Sequence, residues 1–277
     1  MKTGALIFAH KNNIYDYVRM AEWAAENVKR HLQIPITLIT DSTVEVTTNI
    51  FDKIINVDAK QGSHRHFTDV NKTDLWYNDT RVLSYDISPY DRTLVIDSDY
   101  VVASPVLSLL LKSSVDFLCH KKAQAIGLNT DWAANYFGRN QFPMSWATVM
   151  IFSKTSSVKF IFDSMKMVQK NWQHYKDLYR IGKMHYRNDY ALSIALGLYT
   201  GHTQIFSSIP WNLITALPEH KIKTLGELDH YQVEYTNQKG KSYYIDLNCK
   251  DFHAMCKHSL GELIETQSRT RLFNSSL

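Results

Sequence analysis

The chain has 277 residues, of which 44% are hydrophobic and 21% are charged, the composition of a globular protein with a full hydrophobic core. Its three cysteines do not form a disulfide framework and fit a reducing compartment, and no apolar run approaches the roughly 20 residues that span a bilayer. A formal net charge of +4 permits a polyanionic partner without requiring one, and the lack of a helix-turn-helix or finger signature disfavours a non-catalytic DNA-binding module. We therefore expect a cytoplasmic protein with no membrane partner.

Strands and a helix alternate in the first part of the chain. Strands are predicted at residues 5–9, 35–41 and 53–57, and a helix with apolar residues at helical spacing is predicted at residues 15–31. This order favours a parallel sheet with right-handed crossovers.

The next part of the chain is less regular. Residues 60–70 are polar and rich in histidine and are predicted as a loop. A helix is predicted from Asn71 or Thr73 to about residue 85, where Ser88 and Pro89 follow as a break. Beyond them we predict strands at 94–96, 115–119 and 147–152, helices within 101–111 and at 158–175 and 187–198, and short strands with loops from residue 203.

The most informative segment is the strand that ends in two acids. The apolar residues 94–96 run directly into Asp97 and Asp99, as in a buried strand whose carboxyl end opens on a ligand crevice. Residues two apart in a strand point to one side, so both carboxylates could reach one Mg²⁺ or Mn²⁺ ion. Such an ion could hold a departing diphosphate, which suggests a transferase that uses a nucleotide-sugar. The alternative is a pair of solvated turn acids.

In its context this segment resembles the Asp-x-Asp motif of GT-A glycosyltransferases. The stretches at 4–10, 88–94 and 187–192 are similar to GT-A-type proteins encoded by T4-like phages and cyanophages. The resemblance implies an α/β, GT-A-like (Rossmann-related) fold with a mostly parallel central sheet flanked by helices. It also implies a UDP-sugar or other nucleotide-sugar as donor, Mn²⁺ or Mg²⁺ as cofactor and, for a phage protein, the host cytoplasm as location.

A single domain is expected over 1–277, because no repeat, low-complexity tract or linker divides the chain. By the resemblance, residues 1–105 form a nucleotide-binding half and residues 106–260 a donor-sugar and acceptor half. Residues 261–277 are expected to be a C-terminal tail.

The resemblance also implies a ligand set. Asp99 is the principal metal ligand, and Asp97 contacts the metal shell or the ribose. A late histidine, His253, completes the metal site, and Lys257 grips the diphosphate, although the spacing between them is shorter than the common His-x₅-Lys. His253 could instead be a core or surface histidine. A structural zinc site made of Cys249, His253, Cys256 and His258 is a weaker alternative, because the spacing matches no usual finger.

By the same resemblance, four further residues receive roles. Arg81, placed on the predicted helix with Tyr77 and Tyr85 on the same face, would meet the phosphates or base of the nucleotide, or would be a solvated arginine. His10 and Asp41 end the first two strands and would cradle the base, with His10 alternatively a capping residue. Asp189 could orient the acceptor hydroxyl or act as general base, or could be a first-turn acid that stabilises the helix dipole. Residues 144–150 lack the Asn and Gly of the family's acceptor motif.

The acceptor suggested by the phage resemblance is a hydroxymethylated or hydroxylated pyrimidine in double-stranded DNA. Basic groups at His64–Arg65–His66, Lys121–Lys122 and Arg139 are compatible with DNA. An extruded base could stack on Trp132, Tyr136 or Trp146.

Other functions remain open at this point. A glycan or protein acceptor is one alternative. A phosphatase of the haloacid-dehalogenase type, with Asp97 as nucleophile, is another, although the late acid pair of that class is missing. The sequence contains no Gly-x-Gly-x-x-Gly and no phosphate-loop motif, which disfavours dinucleotide dehydrogenases and common NTPases.

Overall fold

A computed structural model describes residues 1–58, 62–77, 79–128, 135–203, 205–225, 228–237 and 239–274, with side chains described up to residue 268. Among these residues no helix has both the length and the hydropathy needed to cross a bilayer.

The central sheet has six strands, five of which run in the same direction. In spatial order the strands are β3 (Lys53–Asn56), β2 (Ile36–Thr40), β1 (Thr3–Phe8), β6 (Arg92–Asp97), β12 (Trp146–Ser153) and β8 (Phe117–His120). The first four pair in parallel, and β12 is antiparallel to both of its neighbours. The prediction of an α/β fold with a mostly parallel central sheet is confirmed.

The middle of this sheet is buried on both faces. Every residue of β2 is buried, as are all but one residue of β1 and of β6, because helices and loops cover both sides of a parallel sheet. The first crossover is α1 (Tyr17–Leu32), which begins where the Asp16 carboxylate accepts a hydrogen bond from the Arg19 backbone N–H at 2.8 Å. The helix ends at Gln33 in the left-handed conformation.

The segment between β3 and β6 differs from the prediction. The predicted loop at 60–70 and the predicted helix from Asn71 or Thr73 to residue 85 are both wrong. The chain forms an antiparallel hairpin, β4 (Gly62–Phe67) and β5 (Lys72–Tyr77), in which Asn71 takes a positive φ of 50° at the turn. Asn71 therefore closes a turn instead of capping a helix.

Between the hairpin and β6 the described residues form only short helical segments. These are a 3₁₀ turn, Arg81–Leu83, and α2 (Ser84–Ile87). Tyr77 lies on a strand and Arg81 on the 3₁₀ turn, so they do not share a helix face with Tyr85 as predicted.

The remaining helices agree in part with those predicted from the sequence. The helix predicted at 158–175 is interrupted at Asn171, whose side-chain amide donates to the Met167 carbonyl at 2.9 Å. A helix that the sequence does not predict fills most of residues 261–277, which were expected to be a tail. The helices beyond α2 are α3 (Val106–Leu111), α4 (Ser156–Lys170), α5 (Trp172–Leu178), α6 (Asn188–Tyr199) and α7 (Lys257–Asn274).

Smaller sheets surround the central one and confirm the short strands expected after residue 203. One has the order β7 (Tyr100–Val101), β17 (Phe252–Ala254), β13 (Leu213–Ala216) and β9 (Ala123–Ala125). A second consists of β14 (Lys221–Thr224), β15 (His230–Thr236) and β16 (Ser242–Asn248), and β10 (Tyr136–Phe137) pairs with β11 (Phe142–Pro143). In the first of these, His253 of β17 lies opposite Tyr100 of β7, which directly follows Asp99.

A buried arginine holds the opposite end of β6. Arg92 is fully buried and donates to the carbonyl oxygens of Val115 at 2.6 Å and Leu110 at 3.0 Å. Leu110 belongs to the last turn of α3, where carbonyl oxygens lack helical partners. Arg92 therefore fixes α3 to the start of the strand that carries the acids.

Candidate active site

A cleft of about 580 Å³ opens at the carboxyl ends of β1 and β6. Asp97, Asp99, His253 and Lys257 line its inner part. One outer wall is the β4–β5 hairpin, and the other is the segment 183–188 that leads into α6. Ligands of open parallel sheets bind at this edge, so the position agrees with the crevice expected from the sequence.

Asp97, Asp99 and His253 form one cluster. His253 Nε2 lies 3.4 Å from Asp99 Oδ1 and 3.9 Å from Asp97 Oδ2. The cluster forms because the antiparallel pairing of β17 with β7 brings residue 253 beside the end of β6. Asp99 and His253 are buried, with 5% and 8% of their surfaces exposed, so the solvated turn acids and the surface histidine considered above do not apply.

The three side chains fit a divalent cation. One ligand atom from each residue lies within 4.8 Å of the others, so small side-chain movements would let all three reach one ion. Two carboxylates and an imidazole leave coordination positions open for phosphate oxygens or water. Within the described part of the chain this is the one group of three or more candidate ligands, so the zinc cluster of Cys249, Cys256 and His258 with His253 is not formed.

Two cations already neutralise the acids. Lys257 Nζ lies 2.5 Å from Asp99 Oδ2, and Arg81 forms an ion pair with Asp97. Burial alone would raise the pKa of Asp99, but Lys257 and His253 outweigh it and hold that pKa well below its usual range. Asp99 is therefore ionised at neutral pH and available as a metal ligand once Lys257 moves.

Arg81 is held from several directions. Its Nη1 donates to the Ala147 carbonyl oxygen at 2.9 Å, and its guanidinium lies 5.5 Å from the centroid of the Phe8 ring. The side chain is largely buried, so it is not the solvated arginine considered from the sequence. Arg81 lines the cleft, where a phosphate group could replace Asp97 as its partner.

His10 and Asp41 lie together, as their positions at neighbouring strand ends predict. His10 Nδ1 is 3.3 Å from Asp41 Oδ2, and His10 Nε2 is 2.7 Å from the Thr80 hydroxyl. Burial lowers the pKa of His10 more than Asp41 raises it. Asp41 also accepts hydrogen bonds from the Lys11 backbone N–H at 2.9 Å and the Thr43 hydroxyl at 2.6 Å. His10 lines the cleft, whereas Asp41, which contacts the His10 ring, does not.

Asp189 lies in the first turn of α6, at the cleft. Its Oδ1 accepts from the Ala147 backbone N–H at 2.9 Å, and its Oδ2 pairs with Arg187 at 2.6 Å. The Arg187 guanidinium lies 5.9 Å from the Trp146 ring centroid and 5.5 Å from that of Tyr190. The carboxylate therefore joins the start of α6 to β12 and orients Arg187, a partner that the sequence pattern does not reveal.

The basic groups considered for DNA binding lie in different places. His64, Arg65 and His66 line the cleft, whereas Lys121, Lys122 and Arg139 do not. Lys121 Nζ lies 4.3 Å from the Phe206 ring centroid.

The three aromatic candidates are also separated. Trp146 lines the cleft, and Tyr136 lies on β10 outside it. Trp132 lies outside the described residues.

Comparisons with known proteins give similarities of fold. No protein-family model matches the chain, and no curated protein matches it at significant similarity. Glycosyltransferase GlyE of Streptococcus pneumoniae is 16% identical with a TM-score of 0.44, over 76% of this chain but only 45% of its own. Mouse xyloside xylosyltransferase 1 is 13% identical with a TM-score of 0.47, over 76% of this chain and 85% of its own. Galactosyltransferase LgtC, in complex with donor and acceptor sugar analogues, is 13% identical with a TM-score of 0.44, over 70% of each chain.

Replacing Lys257 tests whether it competes with a metal for Asp99. Lys257→Met should strengthen Mn²⁺ binding in the absence of nucleotide by about tenfold, or about 1.4 kcal/mol, because the ion no longer displaces an ammonium group. Calorimetric titration with MnCl₂ measures this, with Lys223→Met as the control, since Lys223 is 60% exposed. Unchanged or weaker Mn²⁺ binding by a folded Lys257→Met variant would show that the lysine does not occupy the ion's place.

Proposed function

We propose that this protein is a metal-dependent glycosyltransferase that moves a sugar from a nucleotide-sugar, best a UDP-sugar, to a hydroxyl acceptor. The observation that carries the proposal is the convergence of Asp97, Asp99 and His253 with Lys257 at the carboxyl end of β6. A site for a divalent cation beside a buried lysine suits a donor that releases a diphosphate. The sequence resemblance to GT-A enzymes supports the same reading.

In the proposed reaction the sugar is transferred from the diphosphate to the acceptor hydroxyl, and the cation, Lys257 and Arg81 stabilise the departing diphosphate. The bond between the anomeric carbon and the diphosphate oxygen breaks, and its electron pair stays on the diphosphate. The acceptor oxygen bonds to the same carbon, and its proton passes to the departing diphosphate or to water. A bound divalent cation would supply Lewis-acid stabilisation of the departing diphosphate. Lys257 and Arg81 would exchange their carboxylate partners for phosphate oxygens and stabilise the charge that develops there.

We assign the positioning of the substrates to His10 and Asp189. His10, fixed by Asp41, presents its ring to the cleft beside the end of β1, where the base of the nucleotide would lie. Asp189 is proposed to orient the acceptor side of the cleft through Arg187, since both of its oxygens already have partners.

A phosphatase with Asp97 as nucleophile is less well supported. Such an enzyme needs a carboxylate oxygen with access to the phosphorus atom. Asp97 is paired with Arg81 and lies beside Asp99 and His253, an arrangement that suits a cation ligand better than a free nucleophile.

The donor and metal can be tested by thermal unfolding. UDP with Mn²⁺ should raise the Tm of the wild-type protein by about 5 °C or more at saturating ligand, and neither ligand alone should do so. Asp99→Asn should abolish the joint shift and lower sugar transfer by about 100-fold or more, because the ion loses its principal ligand. Asp246→Asn, at an exposed position of β16, is the control. A Tm shift with UDP that is independent of metal, or that survives in Asp99→Asn, would contradict the proposal.

We further propose that the acceptor is a hydroxymethylated pyrimidine in DNA. His64, Arg65 and His66 support this, because they lie on one wall of the cleft, and neither the hairpin nor the segment 183–188 contributes a carboxylate among the described cleft residues. Lys183 and Arg187 also line the cleft, where Arg187 is paired with Asp189, so Arg65 and Lys183 are the cations that a negatively charged chain would meet there. Trp146 lines the same cleft but is only 2% exposed, with Arg187 beside its ring, so an extruded base could stack on it only after these side chains move.

Transfer of radiolabelled sugar to hydroxymethylcytosine DNA tests this acceptor. Incorporation should require Mn²⁺ or Mg²⁺ and fall steeply between 50 and 200 mM salt, by roughly tenfold or more, because binding releases counterions from the DNA phosphates. Unmodified cytosine DNA is the control substrate. Transfer to a glycan or protein, with no incorporation into modified DNA from several UDP-sugars, would keep the enzyme class and reject DNA as the acceptor.

A further inference from the structure

The buried hydroxyl oxygen of Tyr17 lacks a hydrogen-bond partner among the described residues. Tyr17 begins α1, is 9% exposed and lines the cleft. A buried hydroxyl without a partner is costly, so its presence in a ligand cleft points to a partner that arrives with the ligand. Burial, and after it the charge of Asp99, raises the pKa of Tyr17, so the phenol keeps its proton and can donate.

Arg65, on the hairpin, lines the same cleft and is held by aromatic rings. Its guanidinium carbon is 4.7 Å from the Trp76 ring centroid and 5.5 Å from that of Phe67. Asp74 is its cross-strand partner in the register, but the Asp74 carboxylate instead accepts from the backbone N–H and the side-chain amide of Asn13, at 2.9 and 3.3 Å. In the described part of the chain no carboxylate lies within 4.0 Å of the Arg65 guanidinium.

The two groups belong to one packed aromatic unit. The Tyr15 ring lies edge-on to Phe67 of the hairpin, at 5.2 Å between centroids, and edge-on to Tyr17 at 6.2 Å. The hairpin is further tied to the body of the protein by Asn12, whose side-chain amide donates to the Leu75 carbonyl at 2.9 Å. Tyr17 and Arg65 are therefore held in place before any ligand binds, and both side chains line the cleft.

We propose that the Tyr17 hydroxyl and the Arg65 guanidinium, supported by Trp76, form a phosphate-binding subsite of this cleft. A phosphate offers several acceptor oxygens, and a guanidinium binds two of them in parallel charge-assisted hydrogen bonds while a phenol donates to another. The phosphate could belong to the donor's diphosphate or to the phosphodiester of the acceptor. The inference rests on the proposed function, because it places a phosphate-bearing substrate in the cleft.

Two variants each remove one group of the subsite, and two more serve as a control and as a conservative replacement. Arg65→Gln removes the charge, Tyr17→Phe removes only the hydroxyl, and Lys72→Gln is the matched control, since Lys72 is exposed on the same hairpin and does not line the cleft. Arg65→Lys tests whether the fork of the guanidinium is needed as well as its charge. Without ligand, Tyr17→Phe should unfold at the wild-type temperature or above it, because the hydroxyl it loses has no partner.

The measurements separate the two sources of phosphate. Calorimetry gives the Kd of UDP with Mn²⁺, and steady-state transfer gives the KM for hydroxymethylcytosine DNA and the slope of its salt dependence. A fivefold or greater rise in the UDP Kd in Arg65→Gln and Tyr17→Phe assigns the subsite to the donor. A fivefold or greater rise in KM with an unchanged UDP Kd, and a salt slope reduced by about 1 in Arg65→Gln, assigns it to the acceptor.

The proposal is overturned if both variants stay within twofold of wild type in all these measurements, or if Lys72→Gln changes them equally. Inorganic pyrophosphate is titrated in parallel to separate this outcome from a failure of the proposed function. Pyrophosphate binding that Arg65→Gln weakens, in a protein that does not bind UDP, would uphold the subsite while rejecting the nucleotide-sugar donor.

Discussion

The pairing of a buried carboxylate, Asp99, and a half-buried one, Asp97, at the carboxyl end of β6 is the constraint on which the site depends. A buried ionised acid is costly unless it is paired, and Asp99 is almost fully buried. The chain meets this cost with side chains from remote elements: Arg81 before α2, His253 on β17 and Lys257 at the start of α7. The C-terminal part of the chain is therefore part of the candidate site as well as of the core.

The same electrostatic balance explains how the site could work. In the structure the cations neutralise the acids, so each carboxylate has a partner without any ligand. A divalent ion together with a diphosphate would let all of them exchange partners at once, with carboxylates turning to the ion and cations turning to the phosphates. Binding of the ion and of the nucleotide should therefore be interdependent, because either one alone leaves charges unpaired.

The sequence predicts well the strands and helices that have a local pattern of hydrophobic residues. The apolar runs before His10, Asp41 and Asp97 predict parallel strands, and parallel pairing brings their ends to one edge. The hairpin at 62–77 was missed because its polar residues, among them Arg65, give no strong apolar alternation. Helix α7 was missed because it has no continuous apolar stripe. The partners of Asp189 and the isolated hydroxyl of Tyr17 depend on tertiary contacts, which no local pattern records.

The measurement that tests the account most directly is the anomalous diffraction of manganese in crystals grown with MnCl₂ and UDP. The account predicts one ion coordinated by Asp97, Asp99 and His253 at about 2.0–2.4 Å, with the Lys257 ammonium displaced from Asp99 to the diphosphate. UDP bound in the cleft with no ion at these three side chains, and with Lys257 still on Asp99, would contradict it.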